Sequence, residues 1–549
     1  MSSLKESHPL LNPSPSPASY SSLPPPSSPT HQDPPPSNNV SRANFFWIVS
    51  GLWSAVFLGA LDGTVVATLV SPIGSYFNKS EQSSYLGTSY LLSVCCFTPL
   101  YGRLSDILGR KGAMLLALTL FGSGTIACGL APSMETLILA RAIAGMGGGG
   151  CVSQSYHNLF TIAHTASSVM TGPLFGLGAG LGGPVGGWLN DTWGWRAAFL
   201  LQAPLLLISF VIVALKVNIK LPDAVANEGI SSKLSRIDFL GSFTLVASVA
   251  FMLSAFSIKT TEELSWSHPL IWGLLTLSCI FGVAFVYVEA RWAQYPVMPL
   301  HLISQRTPLA VALANFMASM TAFSMLYNVP LYFSAARLNS STDAGKHSDG
   351  FSRWMRKTGK LYNLTLTSAT LCIISSVLVA LWNDNTSTLH LWLDIVPQGF
   401  GMASLITTTL IAMIASVYKE DMAVATGITY LFRTTGQVLG VSLSGALVQS
   451  VLLHQLRKRI TGPGSSEIIE EIRHSISSIP DLTPSLRKAA LESYATALRV
   501  VFICQIAINI LVFIACIPIE EHPLPGTHQE QEEYYRQQRS EDDRSDTAE

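Results

Sequence analysis

The sequence predicts an all-α protein that crosses a membrane many times, and its composition carries that prediction. Of its 549 residues, 48% are hydrophobic and only 12% are Asp, Glu, Lys or Arg, whereas soluble domains carry about 25% charged residues. The mean hydropathy is +0.38. With 33 basic and 34 acidic residues the net charge is −1, so there is no basic field to attract nucleic acid. The composition argues against soluble enzymes, disordered scaffolds and nucleic-acid binders, and makes the lipid bilayer the expected partner.

Apolar runs of about 20 residues, each long enough to cross a bilayer, recur along the chain. We interpret each as a helix, because unpaired backbone groups are too costly in lipid. Thirteen runs are visible, at about 43–69, 84–102, 112–131, 134–160, 166–189, 196–217, 237–258, 269–290, 307–335, 361–382, 389–417, 422–453 and 495–517. Residues 1–42 are rich in Pro and Ser and residues 518–549 are acidic, and we predict that both tails are disordered.

The placement of Lys and Arg predicts the orientation, because these residues mark cytosolic loops. They cluster after the second, sixth and eighth runs, and the loops between are poor in them, which puts the N-terminus in the cytosol.

The alternation of basic and basic-poor loops breaks after the ninth run. Residues 338–352 are polar and cannot span, yet the basic cluster at 353–360 is typical of a cytosolic loop. Either that cluster is lumenal and the remainder inverted, or a helix is absent there. We favour the second, and a count of fourteen helices would put both tails in the cytosol.

A short charged loop joins the second and third runs. Glycine permits its tight turn, and the acidic side chain can meet basic groups or helix N-termini at the membrane face. Charge at both ends of so short a turn indicates a latch between helices that open and close, although a simple topogenic loop is the alternative. The latch residues are Gly102, Arg103, Asp106, Gly109, Arg110 and Lys111.

Two further motifs lie inside apolar runs. Arg141 precedes a glycine-rich stretch, and a buried arginine normally faces a cavity or a carboxylate, unless it extends to the interface. The fifth run is poor in side chains, which indicates either a hinge or close packing without motion, and its proline removes a backbone hydrogen bond. Its motif residues are Gly178, Gly182, Gly183, Pro184, Gly186 and Gly187.

Taken together, these motifs resemble the major facilitator superfamily: its loop signature, its helix 4 arginine signature, and the helix 5 Gly-Pro signature typical of antiporters. Residues 61–67 (LDGTVVA) resemble the opening signature of the fourteen-helix drug:proton antiporter branch. Residues 423–427 and 433–445 are similar to a pattern of fungal vacuolar basic amino-acid permeases. The resemblance covers about residues 43–517.

The resemblance implies a major facilitator fold that moves its substrate by alternating access, with coupling to protons. A six-helix bundle would span residues 43–217 and two linking helices residues 218–290. A C-terminal bundle that is one helix short would span residues 291–517. Two features depart from the family pattern: the missing helix near 338–352, and the absence of Lys and Arg from the loop at 157–169.

Charged residues inside the runs are the candidates for coupling. Asp62 can take and release a proton as access alternates, or pair with a cationic substrate; packing against backbone or Thr64 is the alternative. Arg141 is its candidate counter-charge, and Arg433 is placed similarly in a late helix. Polar residues that could line the cavity are Asn315, Tyr327, Asn328 and Asp394.

No metal-binding or nucleophile constellation is visible, so we predict neither cofactor nor enzymatic activity. In the N-terminal tail, Glu6, Leu10 and Leu11 match an acidic dileucine sorting signal, which a cytosolic adaptor would bind.

Our leading hypothesis is therefore a vacuolar-membrane transporter that exchanges protons for Lys, Arg or His. Two alternatives stay open: drug or toxin efflux at the plasma membrane, and a nutrient sensor that binds without transporting.

Overall fold

The structure is a computed structural model, and the chain divides into two units, residues 1–45 and residues 46–549, of which the second is the helical bundle. It describes residues 42–163, 166–217, 238–261, 264, 267–292, 300–336, 361–383, 385–417, 422–462 and 464–520. The sorting signal, residues 338–352 and the basic cluster at 353–360 lie outside the described residues, as does most of each tail.

Six helices make up the N-terminal half. They are α1 (Arg42–Tyr76), α2 (Tyr85–Leu130), α3 (Met134–Ala163), α4 (Ala166–Trp193), α5 (Trp195–Leu200) and α6 (Gln202–Lys216). A single 3₁₀ turn, Ser80–Gln82, lies in the connection between α1 and α2. The second and third apolar runs of the sequence are joined in α2, which bends at Gly109 (φ 77°, ψ 156°). Such a backbone conformation favours glycine.

The remaining helices follow in chain order. They are α7 (Phe239–Thr261), α8 (Pro269–Arg291), α9 (Leu300–Ile303), α10 (Arg306–Ala335), α11 (Leu361–Ala380), α12 (Thr388–Leu393), α13 (Val396–Ala415), α14 (Met422–Arg459), α15 (Ser465–His474) and α16 (Pro484–Cys516). The carboxylate of Asp238 caps the start of α7, accepting a 2.7 Å hydrogen bond from the backbone N–H of Gly241.

The predicted fold class is confirmed: every described element is helical, and nine described helices are long and apolar enough to cross a membrane. The sequence prediction missed α15 and the first part of α16, because both are polar at the surface. It also treated as single runs two segments that the structure divides, α5 with α6 and α12 with α13.

Each half of the bundle has its own apolar core. In the N-terminal half, Leu69 and Leu86 belong to a buried cluster that also contains Phe199. In the C-terminal half, a second cluster surrounds Trp382 and Phe502. Two separate cores make two bodies that can move against each other without either one unfolding.

The two halves meet mainly where α2 packs against α14. Near the middle of this contact, Cys95 Sγ lies 3.3 Å from Thr435 Oγ1. Closer to the start of α2, a Cβ placed on Gly445 would lie 2.8 Å from Ser84 Cβ. At Gly445 the two helices approach each other closely because one of them has no side chain there.

Candidate functional site

A buried ion pair joins α1 to α3. Asp62 lies midway along the apolar span Phe46–Tyr76, and Arg141 lies in the second turn of α3. Nη1 of Arg141 donates a 2.7 Å hydrogen bond to Oδ2 of Asp62, and both side chains are 0% exposed. Two charges taken out of water are tolerated only when they compensate each other this closely.

Two tyrosines surround the pair. The guanidinium of Arg141 lies 4.2 Å from the ring centroid of Tyr90, a distance at which the ring face attracts a cation. Nε of Arg141 also donates to the backbone oxygen of Leu86 at 3.3 Å. One residue further along α2, Gly87 faces Tyr327 of α10: a Cβ there would lie 2.5 Å from the tyrosine oxygen. The charge pair is thus separated from the C-terminal half by only a turn of α2.

One carboxylate oxygen of Asp62 takes no part in the ion pair. Its Oδ1 has no hydrogen-bond partner among the described residues. A buried carboxylate oxygen without a donor is costly, and a proton or an N–H donor bound there would remove that cost. The pair therefore has one open acceptor position.

The glycines of α4 lie directly against the part of α1 that carries Asp62. A Cβ on Gly178 would lie 2.5 Å from the Phe57 oxygen, and one on Gly182 would lie 2.6 Å from the Leu61 oxygen. A Cβ on Gly186 would lie 3.2 Å from Val65 Cα. Gly183, Pro184 and Gly187 belong to the same unbroken helix. This glycine face lets α4 touch the backbone of α1 on both sides of Asp62.

The latch residues lie around the bend in α2. They are far from Leu86 and Tyr90, the residues of that helix that contact Arg141. Gly109 makes the bend, and Arg110 and Lys111 are partly buried just after it. The backbone of Gly102, Arg103 and Asp106 is helical, but their side chains lie outside what the structure describes.

Three of the residues predicted to line the cavity lie on α10. Nδ2 of Asn315 donates to Thr409 Oγ1 at 3.0 Å, and Nδ2 of Asn328 donates to Ser444 Oγ at 2.9 Å. Both amides therefore tie α10 to neighbouring helices of its own half. Only Tyr327 reaches across to α2.

Asp394 and Arg433 lie apart from the charge pair. Asp394, next to α12, accepts a 2.9 Å hydrogen bond from Trp382 Nε1 through its Oδ2, and its backbone oxygen accepts one from Ser375. Arg433 is partly buried on α14, its guanidinium 5.2 Å from the ring centroid of Tyr430. Asp394 thus ties α11 to the start of α13 within one half.

At one end of the bundle the two halves are held together by polar contacts. We call this the α1–α2 end, after the connection at residues 77–84. Oγ of Ser75 accepts hydrogen bonds from the backbone N–H groups of Ile476 (3.1 Å) and Ser477 (3.3 Å). Oε2 of Glu81 lies 3.9 Å from His474 Nε2. The cleft between the halves is closed at this end.

Sequence reasoning missed Tyr90, Glu81 and His474. Tyr90 lies in an apolar run and gives no sign of its contact with Arg141. Glu81 and His474 stand in connections that are nearly 400 residues apart, so only the tertiary structure brings them together. A charged residue in a very short connection between two spans is the one signal that could have drawn attention to Glu81.

The fold and the buried pair define a class of protein: a helical membrane transporter with two halves around a charged centre. The chain belongs to the Major Facilitator Superfamily, whose model matches residues 52–339. It is a transporter of this family and not an enzyme.

Curated relatives cover most of the chain. The chain is 37% identical to the multidrug resistance protein fnx1 of Schizosaccharomyces pombe, over 83% of this chain and 88% of fnx1. It is 32% identical to the vacuolar membrane amino acid uptake transporter fnx2 of the same yeast, over 87% and 84%. With vacuolar basic amino acid transporter 1 of Saccharomyces cerevisiae it shares 28% identity, over 73% and 77%.

The fold matches that of a solved transporter. A bacterial homologue of the human lysosomal transporter Spinster, in an inward-facing and occupied conformation, superposes with a TM-score of 0.55. The match covers 87% of this chain and 97% of that chain at 14% sequence identity. At such identity the likeness speaks for the fold alone.

Proposed function

We propose that the protein exchanges protons for basic amino acids across the vacuolar membrane, from cytosol to lumen, by alternating access. The observation that carries the proposal is the buried Asp62–Arg141 pair at the middle of α1. A fixed carboxylate there fits a cationic substrate, and two relatives are named for vacuolar amino acid transport, one of them for basic amino acids.

The geometry provides a way to couple the two ions. The ammonium or guanidinium group of a substrate competes with Arg141 for Asp62, whose Oδ1 is open to a further donor. A proton on Asp62 removes the charge that holds either cation. Protonation from an acidic lumen therefore releases the substrate there, and loss of that proton to the cytosol restores the substrate site.

The movement that alternates access is a rocking of one half against the other. The predicted topology puts the α1–α2 end in the lumen. The closed lumenal contact between Ser75 and the connection after α15 would then correspond to the state that loads substrate from the cytosol. The glycine face of α4 lets α1 follow this movement without losing contact.

Lysine uptake by isolated vacuolar vesicles tests the proposal. ATP-driven acidification should drive uptake in vesicles that contain the protein, and Asp62→Asn should abolish that uptake while the protein stays in the membrane. Asp238→Asn is the matched control: it makes the same charge change at a helix cap that asparagine also fills. Equal uptake by vesicles with and without the protein would refute the proposal.

Loss of folding could imitate loss of coupling in Asp62→Asn, because Arg141 would lose its partner. The double variant Asp62→Asn with Arg141→Gln removes both charges. We expect it to be as abundant as the wild type and still inactive. Proton-driven uptake by the double variant would remove the pair from the mechanism.

Efflux of drugs or toxins at the plasma membrane is the second candidate, and the relative named for multidrug resistance, at 37% identity, favours it. Localisation separates the two. A tagged full chain should lie in the vacuolar membrane, and Leu10→Ala with Leu11→Ala should send it to the cell surface if the tail sorts it. Surface localisation of the unaltered chain, with resistance to a toxic cation, would favour efflux.

A further inference from the structure

A small cavity lies between the two halves at the α1–α2 end, separate from the Asp62–Arg141 pair. On one side it is lined by Val70 of α1, by the 3₁₀ turn, and by Ser83 and Ser84 just before α2. On the other side it is lined by α10 and α14. Tyr327 lines it too, and that same residue packs on Gly87 beside the charge pair. The cavity therefore lies on the path from the pair to this end of the bundle.

Three oxygen atoms of the cavity residues are unused. Ser80 Oγ, Glu81 Oε2 and Gln449 Oε1 are buried and have no hydrogen-bond partner among the described residues. Ser80 and Glu81 come from the N-terminal half and Gln449 from the C-terminal half. Three open acceptors match the three N–H donors of a primary ammonium group.

The cavity contains one carboxylate, which is the charge expected of a site that binds one cation. Glu81 is the one Asp, Glu, Lys, Arg or His among its lining residues, and its side chain is 92% buried. Its contact with His474, at 3.9 Å, is longer than a hydrogen bond. A carboxylate this deeply buried needs a close positive partner, and His474 provides one only when it is protonated.

We propose that Ser80, Glu81 and Gln449 form a second binding site, which takes the primary ammonium group of an amino acid between the charge pair and the α1–α2 end. The identification of the ligand as an amino acid rests on the proposed function; the site for an ammonium group does not. Because its acceptors come from both halves, the site is complete only while this end is closed. An opening of this end separates Gln449 from Glu81 and weakens the hold on the cation.

Acid weakens the site as well. Burial raises the pKa of Glu81 above its ordinary value of 4.5, against the lowering effects of a backbone hydrogen bond and of His474, Arg473 and Lys79. Glu470 Oε1 also faces this site, 4.0 Å from Nε2 of His474. As the pH falls through the raised pKa of Glu81, its carboxylate loses the charge that holds the cation. Cation binding is therefore present at neutral pH and lost on acidification.

Thermal unfolding of the purified full chain in detergent tests the site without any transport. At neutral pH, methylammonium chloride should raise the melting temperature of the wild type more than tetramethylammonium chloride does, because only methylammonium has N–H donors. Glu81→Gln should abolish this difference. Glu135→Gln, which removes an exposed acid paired with Lys79 at the same end, is the control that should keep it. An equal difference in wild type and Glu81→Gln would overturn the proposal.

A second variant covers the case in which Glu81→Gln fails to fold. Gln449→Leu leaves the charge in place and removes one acceptor, and it should reduce the methylammonium effect at least severalfold. An undiminished effect in this variant would also overturn the proposal.

Transport gives the separate test of the ligand. In vesicles, Glu81→Gln should raise the half-saturating lysine concentration about tenfold at the cytosolic face, because the site is complete only in the form that is closed to the lumen, and leave it unchanged at the lumenal face. An equal change at both faces would contradict a site at this end. If the wild type binds methylammonium but carries no lysine, the ammonium site stands and the proposed function fails.

Discussion

The two halves of the molecule bury polar groups in different ways. In the N-terminal half, opposite charges meet between α1 and α3, with one carboxylate oxygen unused. In the C-terminal half, buried amides and hydroxyls around Asn509 bond one another. Asn509 alone accepts from Thr321 at 2.9 Å and donates to Ser376 at 2.6 Å. A charge with an open position can exchange partners, whereas a satisfied neutral network holds its helices in place.

A division of labour follows from this difference. In the proposed mechanism, the N-terminal half carries the group that binds and releases ions, and the C-terminal half is a rigid body against which it moves. Gln505 and Asn328 add to the hydrogen bonds that hold this half together, since both bond to Ser324. The two halves should therefore respond differently to loss of a polar group.

The largest effect is expected at Arg141. Arg141→Gln leaves Asp62 buried without its partner and should lower the free energy of unfolding by about 3–5 kcal/mol. Chemical or thermal unfolding in detergent measures this loss, and adding Asp62→Asn should restore most of it. If the single variant were as stable as the wild type, the pair would contribute nothing to holding α1 against α3.

A smaller effect is expected where α4 touches α1. Gly182→Ala places a methyl group against the backbone of Leu61 and the Thr64 side chain, which should cost about 1–3 kcal/mol and slow transport. Gly176→Ala, six residues earlier, meets nothing within 4 Å and should leave stability and transport unchanged. Equal behaviour of the two variants in unfolding and uptake assays would show that close packing beside Asp62 is unimportant.

Loss of an amide in the C-terminal half should affect stability without affecting coupling. Asn509→Leu removes the hydrogen bonds that link Thr321 and Ser376 to α16 and leaves each hydroxyl only its hydrogen bond within its own helix, which should cost about 1–3 kcal/mol. The pH dependence of lysine uptake should stay that of the wild type, because no ion is exchanged at this position. A shifted pH profile would contradict the assignment of a bracing role to this half.

The smallest effect is expected at Asp394. Asn in its place still offers an oxygen to Trp382 Nε1, and the nearby His390 is 70% exposed, so the charge itself contributes little. Asp394→Asn should change stability by no more than about 0.5 kcal/mol and leave uptake intact. Loss of uptake with a normal melting temperature would show that this carboxylate takes part in transport.

The sequence predicted the helical fold because hydrophobicity alone decides which segments enter lipid. It also singled out Asp62 and Arg141, since isolated charges are conspicuous in apolar runs. It could not predict that Asn315, Asn328 and Asp394 would bond within their own half. A polar side chain in an apolar run looks the same whether it faces a neighbour or a cavity.

Amphipathic and connecting segments were harder to predict from the sequence. The helix α15 is polar on one face, so hydropathy did not reveal it. The partners of Glu81 depend on where α15 folds back over the bundle, a long-range arrangement that no local pattern contains. The charge pair was therefore accessible to sequence reasoning, and the contacts that close the α1–α2 end were not.

The contact at Ser75 bears on how much energy an opening needs. The Ser75 hydroxyl oxygen accepts hydrogen bonds from two backbone N–H groups. Each neutral hydrogen bond of this kind contributes about 1 kcal/mol. A proton crossing a difference of one pH unit releases about 1.4 kcal/mol. These two hydrogen bonds and the free energy of one proton are thus of similar size, so in the proposed proton exchange a gradient of one or two pH units is enough to offset them.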